Sequence, residues 1–169
     1  MKDTIDALDL LTQQHDEVDD LIGQIEDSDD GEEKLELFQE LADKIAAHSA
    51  IEEKLFYPSV MTDATEEQLL EATEEHLAVK RVLADMLAME ATDDRFDAKL
   101  SVLKEQIRHH ARDEEEGKLF PKVRKMFDQE ERAALGSELL SMFEELIEQE
   151  PRLEVPSQTT EAAPLELQL

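Results

Sequence analysis

Apolar residues recur along this chain at steps of three and four, in five successive blocks. That period marks helices that bury one face. The first block, residues 4–27, carries Leu8, Leu11, Val18, Ile22 and Ile25, with His15 on the same stripe. Asp3 or Thr4 can cap it, and Ser28-Asp-Asp-Gly31 reads as the turn that follows. The second block runs from about Glu32 to Phe56 on Phe38, Leu41, Ile45, His48, Glu52 and Leu55, and Pro58 predicts its end. The third, roughly 66–90, opens on Thr65-Glu-Glu-Gln68, which has the form of a capping box. Its stripe is Leu69, Thr73, His76, Lys80, Leu83 and Leu87, and the stem of Lys80 is long enough to carry its ammonium to solvent. The fourth extends from about Asp94 to Lys118 on Phe96, Leu100, Leu103, Ile107, His110 and Glu114. Asp128 can cap a fifth, with Leu135, Leu139, Met142 and Leu146 as its apolar side and Pro151 as its stop.

The first four blocks form an internal repeat of two helical hairpins. His15 and His48 lie 33 residues apart, and His76 and His110 lie 34 apart. Short connections make neighbours antiparallel, so the expected fold is all-α: an up-down-up-down four-helix bundle with an additional C-terminal helix. Residues 1–126 would be the bundle and 127–150 the helix packed on it. Residues 151–169, with three prolines, read as a flexible tail.

Composition leaves that fold in place and narrows the partners. The net charge of −28 disfavours a nucleic-acid backbone or an anionic membrane, both of which require positive charge. No apolar run is long enough to span a bilayer, and the acidic N-terminus lacks a signal sequence, so the expected location is cytoplasmic. With no cysteine, any metal must be held by nitrogen and oxygen.

The stripes contain residues that an apolar core does not accept without a reason. His48 and Glu52 are four apart, as are His110 and Glu114, which puts each pair on one helical face. An unpartnered carboxylate in a core is costly, and coordination removes that cost. Imidazole nitrogen with carboxylate oxygen suits a divalent transition metal. The candidate ligands are therefore His15, His48, Glu52, His76, His110 and Glu114. His109 lies about 100° round the helix from His110, so periodicity selects His110. The pairs Glu74/Glu75, Glu115/Glu116 and Glu144/Glu145 fall mainly off the stripes and read as solvated. Tyr57 is a candidate to stand behind the ligands, turned inward only by a local π-bulge.

His15, His48-x-x-x-Glu52, His76 and His110-x-x-x-Glu114, each pair followed by a Phe and a Pro, resemble the hemerythrin-like (HHE cation-binding) domain family over roughly residues 5–126. The resemblance implies two iron ions bridged by an oxo or hydroxo group, with the four histidines as terminal ligands and Glu52 and Glu114 bridging. It also implies small ligands: O2, H2O2 or NO. Two departures matter. Oxygen-carrying members have a second histidine four residues after the third-helix ligand, where this chain has Lys80. Their last carboxylate comes five residues after its histidine, a spacing that His109 and Glu114 would match. Without a fifth histidine, about two of roughly twelve octahedral positions stay open. That favours catalase-like peroxide decomposition over a reversible carrier or sensor, or a module that only stores iron.

Overall fold

The periodic blocks are realised as helices, with wider turns where the candidate ligands lie. The computed structural model describes residues 4–165, which contain no strand. Helix α1 spans Ala7–Asp27, and its cap is Asp6, whose carboxylate accepts from the Leu8 N–H at 2.8 Å. Of the expected caps, Asp3 lies outside the described residues and Thr4 precedes the helix. Helix α2, Gly31–Ile51, is capped by Asp30.

Its continuation departs from expectation. A π-helical segment, Glu52–Phe56, follows α2 and leads into α3, Tyr57–Val60. Pro58 therefore lies within this continuous rod instead of ending it. A first-turn position of α3 tolerates a residue with no N–H. Helix α4, Glu66–Leu87, starts without the capping box. Thr65 Oγ1 instead donates to the Val60 carbonyl at 2.8 Å and accepts from the Thr62 N–H at 2.9 Å, which closes the preceding turn.

Helix α5, Asp94–Arg108, passes into a second π segment, His109–Leu119, and then into α6, Phe120–Met126. Helix α7, Gln129–Glu148, has a full capping box between Asp128 and Glu131. It packs on α1 and α2, and a Cβ at Gly136 would collide with the Ile5 carbonyl at that crossing. The expected flexible tail is a 3-10 helix over Pro151–Gln158, packed on α2 and α4. Val155 is fully buried, a contribution of about 2 kcal/mol, and the Arg152 guanidinium donates to Asp43 at 2.8 Å. Burial outweighs the proline signal there. Residues 166–169 of that tail lie outside the described residues.

Contacts join α1 to α2, α2 to α4, α4 to α5 and α5 to α1. Two apolar clusters fill the interior. One contains Leu8, Leu11, Ile51, Leu69 and Phe120, and the other Ile22, Ile45, Leu83 and Leu103. In each of the four long helical runs the histidine falls between residues of the two clusters. The four imidazoles thus share one layer between two dry cores.

Candidate metal centre

His15, His48, His76 and His110 are all buried, and the structure brings them together as the stripes predict. Glu52, fully buried, stands at the middle. Its Oε1 lies 2.8 Å from His48 Nε2 and its Oε2 lies 2.9 Å from His76 Nε2. One carboxylate therefore faces both halves of the site.

The second carboxylate is Glu115, not Glu114. Glu115 is 1% exposed, and its Oε1 sits 2.7 Å from His110 Nε2 and 3.7 Å from His15 Nε2. Glu114 points outward, where it accepts from Lys118 at 2.9 Å. The cause is the π segment that begins at His109. Its wider turns place the residue five after His110, not four, over the imidazole. A stripe extrapolated at the α-helical period misses by one residue there. His109 stays at the rim, with a side chain 55% exposed.

Two groups of donor atoms result, one from His15, His48, Glu52 and Glu115 and one from Glu52, His76 and His110. Within each, the atoms lie within 4.8 Å of one another. Tyr57 adjoins the second group. The Glu52–Phe56 π turn carries its ring inward, and its hydroxyl donates to Glu52 Oε2 at 3.0 Å. The same oxygen lies 3.3 Å from His76 Nε2 and 3.4 Å from His110 Nε2.

Each imidazole is held from behind through Nδ1. His15 donates to Glu116 at 2.8 Å, His48 to Gln14 at 2.6 Å, His76 to Glu53 at 2.8 Å and His110 to Glu75 at 3.0 Å. A proton fixed on Nδ1 leaves Nε2 as the inward donor, the usual arrangement behind a metal-bound histidine. Two cations back these acceptors. Arg112 donates to Glu116 at 2.8 Å and also to Asp16 and Asp19, and Lys80 donates to Glu53 at 3.4 Å. Lys80 is therefore tied to Glu53 behind His76, with its side chain 11% exposed, and does not join the donor groups. Sequence reasoning set Glu75 and Glu116 aside as solvated and overlooked Gln14 and Glu53. The available signal was adjacency for three of them, since Gln14, Glu53 and Glu75 each flank a candidate ligand in the chain, whereas Glu116 flanks Glu115, which had itself been set aside.

The interior is poorly satisfied by protein alone. Among the described residues, the buried side-chain atoms without a hydrogen-bond partner include His15 Nε2, His48 Nε2, Glu52 Oε1 and both oxygens of Glu115. His48 Nε2 and Glu52 Oε1 are close, but their approach is too bent for a hydrogen bond. These atoms converge on the space between them, the arrangement a coordinated cation requires.

Electrostatics agree. Burial pushes the Glu52 carboxyl up, but His48, His110 and His76 outweigh it and hold it well below the usual carboxylate range. Burial lowers His110, and Glu115, Glu52 and Glu75 more than reverse this, leaving it well above an ordinary imidazole. His76 is raised in the same way against its burial, by Glu52 and Glu53. Burial, reinforced by Glu115 and Glu52, pushes the Tyr57 phenol well up. A cavity of about 40 Å³ opens beside the imidazoles, lined also by Val18, Ile45, Val79 and Ile107. It has room for a molecule of two or three heavy atoms, on a scale where one water needs about 10–15 Å³.

Comparison with known proteins follows this geometry. The family model described as hemerythrin HHE cation binding domain matches residues 6–123. A protein named DNA nickase from Nostoc sp. is 25% identical over 130 residues, 77% of this chain. The match covers only 37% of that protein's length. Among solved structures, a hemerythrin HHE cation binding domain-containing protein from Mycobacterium kansasii superposes with a TM-score of 0.79. The superposition covers 91% of this chain and 99% of that one, at 23% identity, a likeness of fold.

Proposed function

This chain belongs to the hemerythrin HHE cation-binding domain family, and we propose that it is a di-iron protein that decomposes hydrogen peroxide. The observation that carries this reading is the outward donation of all four Nδ1 atoms. It leaves four Nε2 lone pairs and two buried carboxylates facing one space. His15 and His48 would hold one ion, and His76 and His110 the other. Glu52 and Glu115 would span the two, and Tyr57 would add an oxygen beside the second. The histidine layer between the two apolar clusters reads as the level at which an up-down-up-down bundle closes, with α7 packed outside it.

A bound pair of irons supplies electrons and open coordination positions for a small oxidant. The protein supplies the rest. The two carboxylates offset metal charge, and the Nδ1 acceptors fix each ring. Tyr57 keeps its proton at Oη, consistent with its raised pKa, and through it holds the Glu52 carboxylate in place. The cavity beside the imidazoles, with Val18, Ile45, Val79 and Ile107 in its wall, would suit small uncharged molecules. The net reaction, two H2O2 giving two H2O and one O2, consumes no outside reductant. A DNA-nicking role is disfavoured, because a net charge of −28 repels a phosphate backbone.

Iron-loaded protein should contain about two irons per chain, absorb in the near ultraviolet when oxidised, and evolve O2 from peroxide in an oxygen-electrode assay. Anaerobic preparations that take up no iron would remove the metal reading. Reversible O2 or NO binding without O2 evolution would establish the carrier or sensor reading instead. The aliphatic cavity wall favours that second reading, since it suits a diatomic gas.

A further inference from the structure

The two hairpins place equivalent residues around the centre, and the equivalence can be followed position by position. Gln14 precedes His15 and accepts from His48, and Glu75 precedes His76 and accepts from His110. Glu53 follows Glu52 and accepts from His76, and Glu116 follows Glu115 and accepts from His15. Tyr57 comes five residues after Glu52, and Phe120 five after Glu115. Their rings stack on His76 and His15 at centroid distances of 5.6 and 6.3 Å.

Glu115 groups with His15 and His48 yet lies closer to His110, at 2.7 Å against 3.7 Å from His15, so it serves both sides. Around the imidazoles the symmetry is broken twice, and both of these breaks favour the same side. The His76/His110 side has two carboxylates behind its imidazoles and the Tyr57 hydroxyl in front. The His15/His48 side has one carboxylate and one amide behind and a bare phenyl ring in front.

From this asymmetry, and resting on the di-metal reading above, we propose that the two metal positions differ in affinity. The position facing His76, His110 and Tyr57 fills first, and the position facing His15 and His48 fills second, with Gln14 setting the gap as a positioning residue. A carboxylate accepting from Nδ1–H makes the imidazole a more basic donor than an amide does, and changes to such partners typically alter metal affinity about 10- to 100-fold. The chain therefore passes through a stable one-metal form when metal is scarce. Its second position can take an ion different from the first.

The test is anaerobic titration of metal-free full-length protein with Fe(II) against a competing chelator. Co(II), added at one equivalent, serves as a paramagnetic probe of the histidine ring protons. Two steps separated by tenfold or more are expected, with the first equivalent of Co(II) shifting the His76 and His110 rings. Gln14→Glu, nearly identical in shape, should tighten the weaker step about tenfold and leave the stronger one in place. Glu75→Gln should weaken the stronger step, and it decides the matter alone if Gln14→Glu does not fold. A single step for both equivalents, or Gln14→Glu acting on the tighter step, overturns the proposal while leaving the di-metal reading intact. No uptake by the wild type removes both.

Discussion

The first hairpin reaches its carboxylate in four residues from His48 and the second takes five from His110, yet both deliver an oxygen to the same layer. The difference lies in the backbone. Five residues of π helix follow α2, whereas eleven follow α5 and include the second histidine itself. In the first hairpin the wide turn begins at the ligand Glu52, so the α-helical spacing from His48 survives. In the second it begins before His110, so the spacing grows by one. Equivalent chemistry thus rests on unequal local geometry, and the donor positions matter more than the motif that supplies them.

The most severe way to break this equivalence is to remove what both hairpins share. Stripping the metal, or replacing Glu52 by Ala, should disable both positions together. At free metal about a hundredfold above Kd, each position adds about 2.7 kcal/mol. For a chain of this size, the melting temperature should fall by about 10–20 °C on metal removal, measured by calorimetry. A metal-free protein that melts no earlier would show that the imidazole layer is not a binding site.

Next in size is the test of the second hairpin's spacing. Glu115→Gln should lower metal content well below that of wild type, whereas Glu114→Gln should leave it unchanged, because Glu114 turns away from the centre to Lys118 and the rim histidine His109. Elemental analysis of the two variants decides between them. The same register predicts that His110→Ala loses about tenfold or more in metal affinity and His109→Ala almost none. Equal losses would mean that this helix is rotated so that His109 and His110 both reach the centre.

The smallest expected effect is the pH response of the metal-free protein. His76 and His110 titrate above an ordinary imidazole when folded, so their stabilisation is full below about pH 6.5 and is lost as pH rises through the raised values. Glu52 titrates below an ordinary carboxylate, so its stabilisation is full above about pH 4.5 and is lost as pH falls through the depressed value. Metal-free protein should therefore melt highest in the mildly acidic window between those limits and earlier at pH 9. Metal-loaded protein should not show that alkaline decline. A flat alkaline profile without metal would show that these imidazoles are not charged in the metal-free fold.

Much of this arrangement was legible in the stripes. The four histidines and Glu52 fall inward because α1, α2, α4 and most of α5 keep the α-helical period up to the ligand. Glu115 was hidden because the period changes between Arg108 and Phe120, and no apolar residue from Asp113 to Lys118 records the change. Tyr57 was legible only conditionally, since its inward turn requires the π segment that the structure contains. The residues behind the imidazoles carry no hydrophobic signal. Glu75 and Glu116 look like solvated surface until the partner helix supplies the N–H. Residues 151–158 were misjudged for a related reason, because one buried Val155 outweighs the prolines around it.

The π segments also decide which genetic changes the centre can register. Substitutions alter a donor but leave the backbone count intact, whereas the offset between Glu114 and Glu115 is a matter of counting. In the second hairpin the site depends on a single additional residue, the product of one codon. Losing one codon between His110 and Phe120, for example that of Gly117, would let the wide turns relax to ordinary helical winding, so that Glu114, four residues after His110, takes the inward place of Glu115 while α6 keeps its frame. Phe120 would keep its place against His15 and Val123 its place in the core. A complete scan of point mutations would never sample that change. For this centre the revealing library is one of single-residue deletions and insertions, and its readout is the exchange of Glu115 for Glu114 as the inward carboxylate.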